Sequence, residues 1–360
     1  MAKQPKHGLM ETKGQFQFRG IVEGTQRDDF FKNKTTKNKK DMNLIKFSIK
    51  TSENNKPKIN LNGMEQDNVY FYKRPKTKDE KGVSKKVPWI NRKTFDEDGF
   101  QLIGVKLGLN KVENDKGQEV NEKKNLTDYD ACAYIRDNLM DDLSIFAKGN
   151  IEYSSYKNDK GDLKRNLKFN PAQISLCKNE IDFSADDFKE TSAFQQIIVF
   201  MGIKKDDSDK TDKKFIVSAK IVTYNSIEDA EFIIRNENLA KVFRTKLKPY
   251  MAIKVWGDIN NKVIKEEVNE DDCWGEGNSF DQVGGTFIQE LVITGADPKT
   301  IDKDMYSKEK MENAIRILKE FGEEKNQQEE AKENDEEQWG ETMDSNDNNK
   351  DADEWDNEEW

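Results

Sequence analysis

The feature that most constrains this chain is a glycine-kinked strand that occurs twice. In SIFAKGNIEY, Ile145, Ala147 and Ile151 alternate with Phe146, Lys148 and Glu152, so one face is apolar and the other mixed. Gly149 stands where a strand that turns a tight corner has no room for a side chain. About a hundred residues later comes AIKVWGDINN. Setting Gly257 on Gly149 sets Ile253 on Ile145, Val255 on Ala147 and Ile259 on Ile151. Two copies of such a strand imply two copies of one small barrel.

The rest of the chain repeats around these strands. In the first copy, strands are read at 14–24, 43–51 and 58–72, the last with its strongest signal in VYFYK. Residues 73–126 form an insertion, and DYDACAYIRDNLM has helical spacing with Asp128 as its cap. The kinked strand follows, and 167–181 closes the unit. The second copy reads 194–203, 215–224, 231–235, a helix at 238–247, the kinked strand and a closing strand at 286–294. Residues 307–321 form an amphipathic helix through Met311, Ile315, Leu318 and Phe321. The expected domains are a disordered 1–13, a first barrel 14–182, a second barrel 183–306, the helix 307–321 and a disordered acidic tail 322–360.

The net charge of −10 divides unevenly: +10 over 1–170, −6 over 171–322 and −14 over 323–360. A basic front points to a polyanionic partner, a role the acidic tail cannot share. Three cysteines without CxxC spacing and a lone His7 in a polar tail imply no zinc site, no disulfide framework and no cofactor. No apolar run reaches membrane-span length and no secretory signal opens the chain, so a cytoplasmic protein without a membrane partner is expected. No P-loop, HExxH or GxSxG motif is present, which argues against an enzyme. The Asp206, Asp207, Asp209 run reads as a solvated loop.

A mainly β chain of two tandem five-stranded barrels, each with a helix between its third and fourth strands, has the plan of the OB-fold. With SIFAKGNIEY, AIKVWGDINN and an acidic tail ending in Trp360, it resembles single-stranded DNA-binding proteins of the SSB/RPA class, with a viral or plasmid origin as the expectation. That resemblance implies binding without catalysis, in replication, recombination or repair. A single strand needs positive charge for its phosphates and flat faces for its bases. The candidates in the first loop are Lys32, Lys34, Lys37, Lys39 and Lys40. The insertion adds Lys73, Arg74, Lys76, Lys85, Lys86 and Trp89, and the loop between the last two barrel strands adds Tyr156, Lys157, Lys160, Lys164 and Arg165. Phe47, Tyr70 and Tyr72 are open to two readings, core or stacking platform. DNA is the expected polynucleotide, with RNA as the alternative.

The corresponding second-barrel loop, 266–281, holds seven acids and no Lys or Arg, so that barrel reads as a scaffold or a homo-oligomer surface. The resemblance assigns partner recruitment to Trp355, Asp356, Glu358, Glu359 and Trp360 at the tail's end. The competing reading is a protein-interaction or assembly factor, viral in origin, without nucleic-acid binding.

Overall fold

The computed structural model describes residues 5, 7–36, 38–77, 80–157, 161–206, 213–264 and 286–321. β1 (Gly14–Glu23) alternates strictly and buries Phe16, Phe18 and Val22. A short β2 (Phe31–Thr35) folds back on β3 (Asp41–Lys50), and β4 (Lys58–Met64) follows.

An insertion comes next. Its β5 (Asn68–Lys73), β6 (Val83–Pro88) and β7 (Phe100–Leu102) form a separate three-stranded sheet. Val69, Phe71 and Val87 give that sheet its own small core, against which Trp89, Phe95, Phe100 and Leu102 pack. β8 (Val105–Gly108) and β11 (Lys124–Leu126) extend the main sheet, while β9 (Lys111–Glu113) and β10 (Glu119–Asn121) make a hairpin. The strong VYFYK strand therefore belongs to the insertion, and the third barrel strand is the weaker KINLNGM.

α1 (Asp128–Asn138) is capped by Thr127, whose Oγ1 accepts from the Asp130 backbone N–H at 3.1 Å, so Asp128 is the first helical residue and not the cap. It buries Ala131, Cys132 and Ile135. Gly63 lets this helix sit directly on β4, since a Cβ there would lie 2.0 Å from the Tyr129 nitrogen. β12 (Ser144–Lys157) and β13 (Leu163–Leu176) complete the first barrel. The ring runs β1–β3–β4–β13–β12 and back to β1, closed by a parallel β4–β13 contact at Ile59 and Phe169.

The second barrel repeats this order. β14 (Thr191–Asp206), β15 (Lys214–Val222) and β16 (Ile227–Ile234) precede α2 (Glu237–Lys246), and β17 (Met251–Ile264) and β18 (Thr286–Asp302) follow it. The ring runs β14–β15–β16–β18–β17 and back to β14, again closed by one parallel contact, Ile233 with Val292. This strand order, with the helix between strands three and four, is that of the OB-fold in both halves.

The kink glycines sit at matching irregularities, where the register shifts at Lys148/Gly149 and at Trp256/Gly257. The residue seven positions before each glycine, Asp142 or Tyr250, has a left-handed φ of 69° or 70°. Phe16 lies opposite Gly149 and Phe194 opposite Gly257, so these two phenylalanines are equivalent. They also lie opposite each other in the antiparallel β1–β14 pair, so an approximate two-fold axis passes between them. The barrels thereby share one continuous hydrophobic core, in which Phe16, Phe18 and Phe169 pack ring on ring.

Polar contacts lock the junction. Asn55, 1% exposed, donates from Nδ2 to Glu190 Oε1 (2.8 Å) and to the Ile259 carbonyl (2.8 Å), and its Oδ1 accepts from the Asn261 N–H (2.7 Å). Asn55→Ala leaves the buried Asn261 N–H without this acceptor and is expected to destabilise the chain by about 1–3 kcal/mol. A lower urea midpoint at unchanged slope is the readout; an unaltered midpoint shows that the junction does not depend on this side chain.

Residues 7–13 depart from the expectation of a disordered 1–13. His7 is 3% exposed; its Nε2 lies 2.9 Å from the Thr223 carbonyl and its Nδ1 accepts from the Leu9 N–H. Leu9 is buried with Tyr306, Met311 and Ala314, so a C-terminal helix at 308–321 (α3) clamps the segment onto the second barrel. Phe321, expected on the apolar face of that helix, is 40% exposed. Among the described residues, no helix is long and apolar enough to cross a membrane.

Candidate nucleic-acid interface

The outer surface of the first barrel follows from period-two alternation. Ile45, Phe47 and Ile49 point into the core at 0–1% exposure. Of its two readings, Phe47 therefore takes the core one, which removes it from the candidate binding residues. Lys46, in the opposite phase, is exposed and lies opposite Asn60. Residues directly opposite in an antiparallel pair share a face. On this face Lys32, Leu44 and Asn62 form one row across β2, β3 and β4, and Lys34, Met42 and Met64 form the next. Lys58 continues the face opposite Ser48. The expected loop at 30–40 is thus largely a hairpin, rigidly continuous with β3. Lys39 sits in its turn with φ 58°, and Lys37 lies outside the described residues.

β13 carries the surface onward. Lys168 and Lys58 each precede the inward Phe169–Ile59 contact by one residue, so they lie side by side on the outside. Lys164 follows in the same phase, paired with Tyr156, whose ring is 57% exposed. Arg165, in the other phase, points toward the second barrel, 3.7 Å from Glu231. Lys160 and the side chain of Lys157 lie outside the described residues.

The insertion abuts the hairpin end of this surface. Lys40 Nζ meets Asp67 Oδ1 at 2.8 Å, and the hydrogen bond and charge of Lys40 hold the Asp67 carboxyl below its usual range, with Lys86 adding to the effect. Tyr70 (51% exposed) and Tyr72 (37%) occupy the outer face of the insertion sheet, with Lys86 opposite Tyr70. Lys73 and Lys85 take the opposite phase, a correction to their grouping with Lys86. Lys73 lies over the Phe100 ring and donates to the Asp98 carbonyl, while Lys85 lies over Phe95 and pairs with Glu97. Arg74 and Lys76 are exposed in the β5–β6 connection. Trp89 is half-buried, with the Arg92 guanidinium 4.1 Å above its ring and Tyr129 edge-on at 6.0 Å.

Tyr70 and Trp89 share a cleft of about 460 Å³ with Met42, Asn62 and Met64 of the barrel face. The hairpin, the insertion and the β12–β13 arm thus contribute to one surface, running from Trp89 and Tyr70, past Lys34, Lys32, Lys46 and Lys58, to Lys168, Lys164 and Tyr156. Three of its lysines, Lys46, Lys58 and Lys168, were not singled out from the sequence. Their signal was the strand phase opposite Ile45, Ile59 and Phe169, and not a basic run.

The second barrel supplies an internal contrast. Strand register places Ile216 at the position of Lys46, Glu231 at that of Lys58 and Ile233 at that of Asn60. Lys220, equivalent to Lys50, is paired with Asp229. The same fold therefore presents a cationic face on one barrel and an apolar-to-acidic one on the other. The acidic loop 266–281 lies outside the described residues. Among the described residues, no group of three or more His, Cys, Asp or Glu is placed to hold a metal.

Fold and surface together define a paired OB-fold protein with one lysine- and ring-bearing barrel. The chain belongs to the YorF family, whose family model matches residues 74–336. Among solved structures it is similar to the wild-type single-stranded DNA binding protein from Thermus aquaticus, at 11% identity and a TM-score of 0.38, over 80% of this chain and 93% of that one. A deletion mutant of the Thermus protein aligns at 12% identity and the same TM-score, over 80% and 94%. The mitochondrial single-stranded DNA binding protein Rim1 from S. cerevisiae aligns at 12% identity and a TM-score of 0.21, over 29% of this chain and 92% of that one. No curated protein matches the chain.

Proposed function

We propose that the chain is a non-catalytic binder of single-stranded DNA, held without sequence readout along most of the outer face of the first barrel. The observation that carries this reading is the alignment of Lys32, Lys34, Lys46 and Lys58 on one face flanked by the exposed rings of Tyr70 and Tyr156. Lysines at strand spacing can follow a flexible phosphate backbone, and rings at both ends give unstacked bases somewhere to lie. A duplex keeps its bases paired and gains nothing from the rings. Fluorescence anisotropy at low salt is expected to show single strands bound roughly tenfold or more tighter than the matching duplex, with affinity falling steeply as salt rises. Equal affinity for the two forms would falsify the assignment.

On this reading the second barrel is a scaffold, and the acidic segment 323–360, with Trp355, Asp356, Glu358, Glu359 and Trp360, recruits replication or recombination proteins. Its charge of −14 supports a second consequence, weak competition with DNA for the lysine face. Deleting 323–360 is then expected to strengthen single-strand binding a few-fold at low salt and not at high salt. An affinity unchanged at both rules the competition out.

A further inference from the structure

The cleft between the insertion and the barrel differs in chemistry from the lysine face it adjoins. Its walls are rings and thioethers: Tyr70, Trp89, Tyr129, Met42 and Met64. Its polar groups include the amides of Asn62, Gln66 and Asn68, the Thr127 hydroxyl and one acid, Asp128. Asp128 is held there by two features already described. Thr127 starts the helix one residue earlier, and Gly63 lets that helix end rest on β4. Its carboxylate is reachable from solvent, and the surrounding walls desolvate it enough to raise its pKa. The neighbouring Asp130 is engaged by Arg92 and Lys93, whereas Asp128 accepts no hydrogen bond and forms no ion pair among the described residues.

A phosphate does not fit this cleft, because a carboxylate accepts hydrogen bonds and repels anions. A flat heterocycle fits it: ring faces to lie against, thioethers that adapt to its edge, and amides and an acid for its polar rim. Resting on the single-strand reading above, we propose that this cleft receives one unstacked base from the bound strand, and that Asp128 makes it prefer guanine. Guanine presents two parallel donors, N1–H and the N2 amine, which a carboxylate can accept together. Thymine offers one N–H between two carbonyls that the carboxylate repels. Adenine and cytosine each set a ring acceptor beside their amine. The protein then binds most of a strand without readout and reads a single position.

The test uses the full chain and three short oligonucleotides in competition anisotropy: all-thymidine, the same strand with one central guanine, and the same with hypoxanthine, which lacks the N2 amine. The guanine strand is expected to bind roughly tenfold tighter than all-thymidine, with hypoxanthine between them. Asp128→Asn is expected to bring the guanine and thymidine strands within about twofold of each other, by weakening the guanine strand and relieving the repulsion of thymine. Equal binding of all three strands by the wild-type protein overturns the inference, as does a guanine preference that survives Asp128→Asn. Neither result touches the single-strand assignment, which fails separately if none of the three strands binds. The wild-type comparison needs no variant, so it does not depend on how a substitution folds.

Discussion

Exchanging Lys46 and Lys58 for glutamate is expected to lower single-strand affinity about a hundredfold at low salt, with the fold intact. Both side chains are exposed on the outer face of β3 and β4, and neither takes part in the core, so stability should shift by no more than about 0.5 kcal/mol. The molecule carries its own precedent for the change, since the second barrel holds the same strands with Glu231 at the place of Lys58 and Ile216 at that of Lys46. The alanine pair separates charge loss from charge reversal. If each lysine neutralises one phosphate, removing both reduces the slope of log affinity against log salt by about 1.4. Lys73→Ala with Lys85→Ala is the matched control. Those residues also belong to the basic front, but they lie against Phe100 and Phe95 on the other side of the insertion sheet. Their loss should leave affinity within about twofold. If both pairs weaken binding equally, net charge alone governs it and the face has no special role.

What the sequence could reveal depended on whether the deciding interaction was local. The kinked strands were legible because the constraint at Gly149 and Gly257 is steric and leaves the same residue at the same place in each copy. The alternation of β1 and the helical spacing of α1 were legible for a similar reason, since each follows from the period of its own backbone. The phase of β3 was also available: Ile45, Phe47 and Ile49 form one apolar series, and reading Phe47 apart from its neighbours hid Lys46 as well. Other features depend on partners distant in the chain. Nothing within VYFYK tells whether it pairs with β4 or with β6 and β7, so Tyr70 and Tyr72 were placed on the barrel instead of beside it. Lys73 and Lys85 differ from Lys86 only through that same register. His7 is buried by Thr223, 216 residues away, and a short polar segment gives no sign of such a partner. The cleft at Asp128 is the extreme case, because its walls come from β3, β4, the insertion and the start of α1, and no two of these are recognisable as neighbours from composition.

Alanine at Gly149 or Gly257 is expected to destabilise the protein by about 3 kcal/mol or more. At Gly149 the added Cβ would lie 2.0 Å from the Asn170 carbonyl oxygen and 2.7 Å from the Pro171 Cα. At Gly257 it would lie 1.8 Å from the Val292 carbonyl oxygen. These are backbone atoms of the adjoining strand, so relief requires the ladder itself to part, with the loss of hydrogen bonds worth about 1 kcal/mol each. Gly202→Ala is the control, since it sits at another register shift, in β14, where a Cβ meets nothing within 4 Å. That variant should change stability by no more than about 0.5 kcal/mol. In thermal melts the two kink variants should lose roughly 6–12 °C and the control almost nothing. Whether each kink variant melts in one transition or two carries further information. Phe16 and Phe194 join the two cores across the pseudo-two-fold axis, so damage to either corner should lower a single shared transition. Two separated transitions, with only one of them displaced, would mean that the barrels fold independently and that the β1–β14 pair merely docks them.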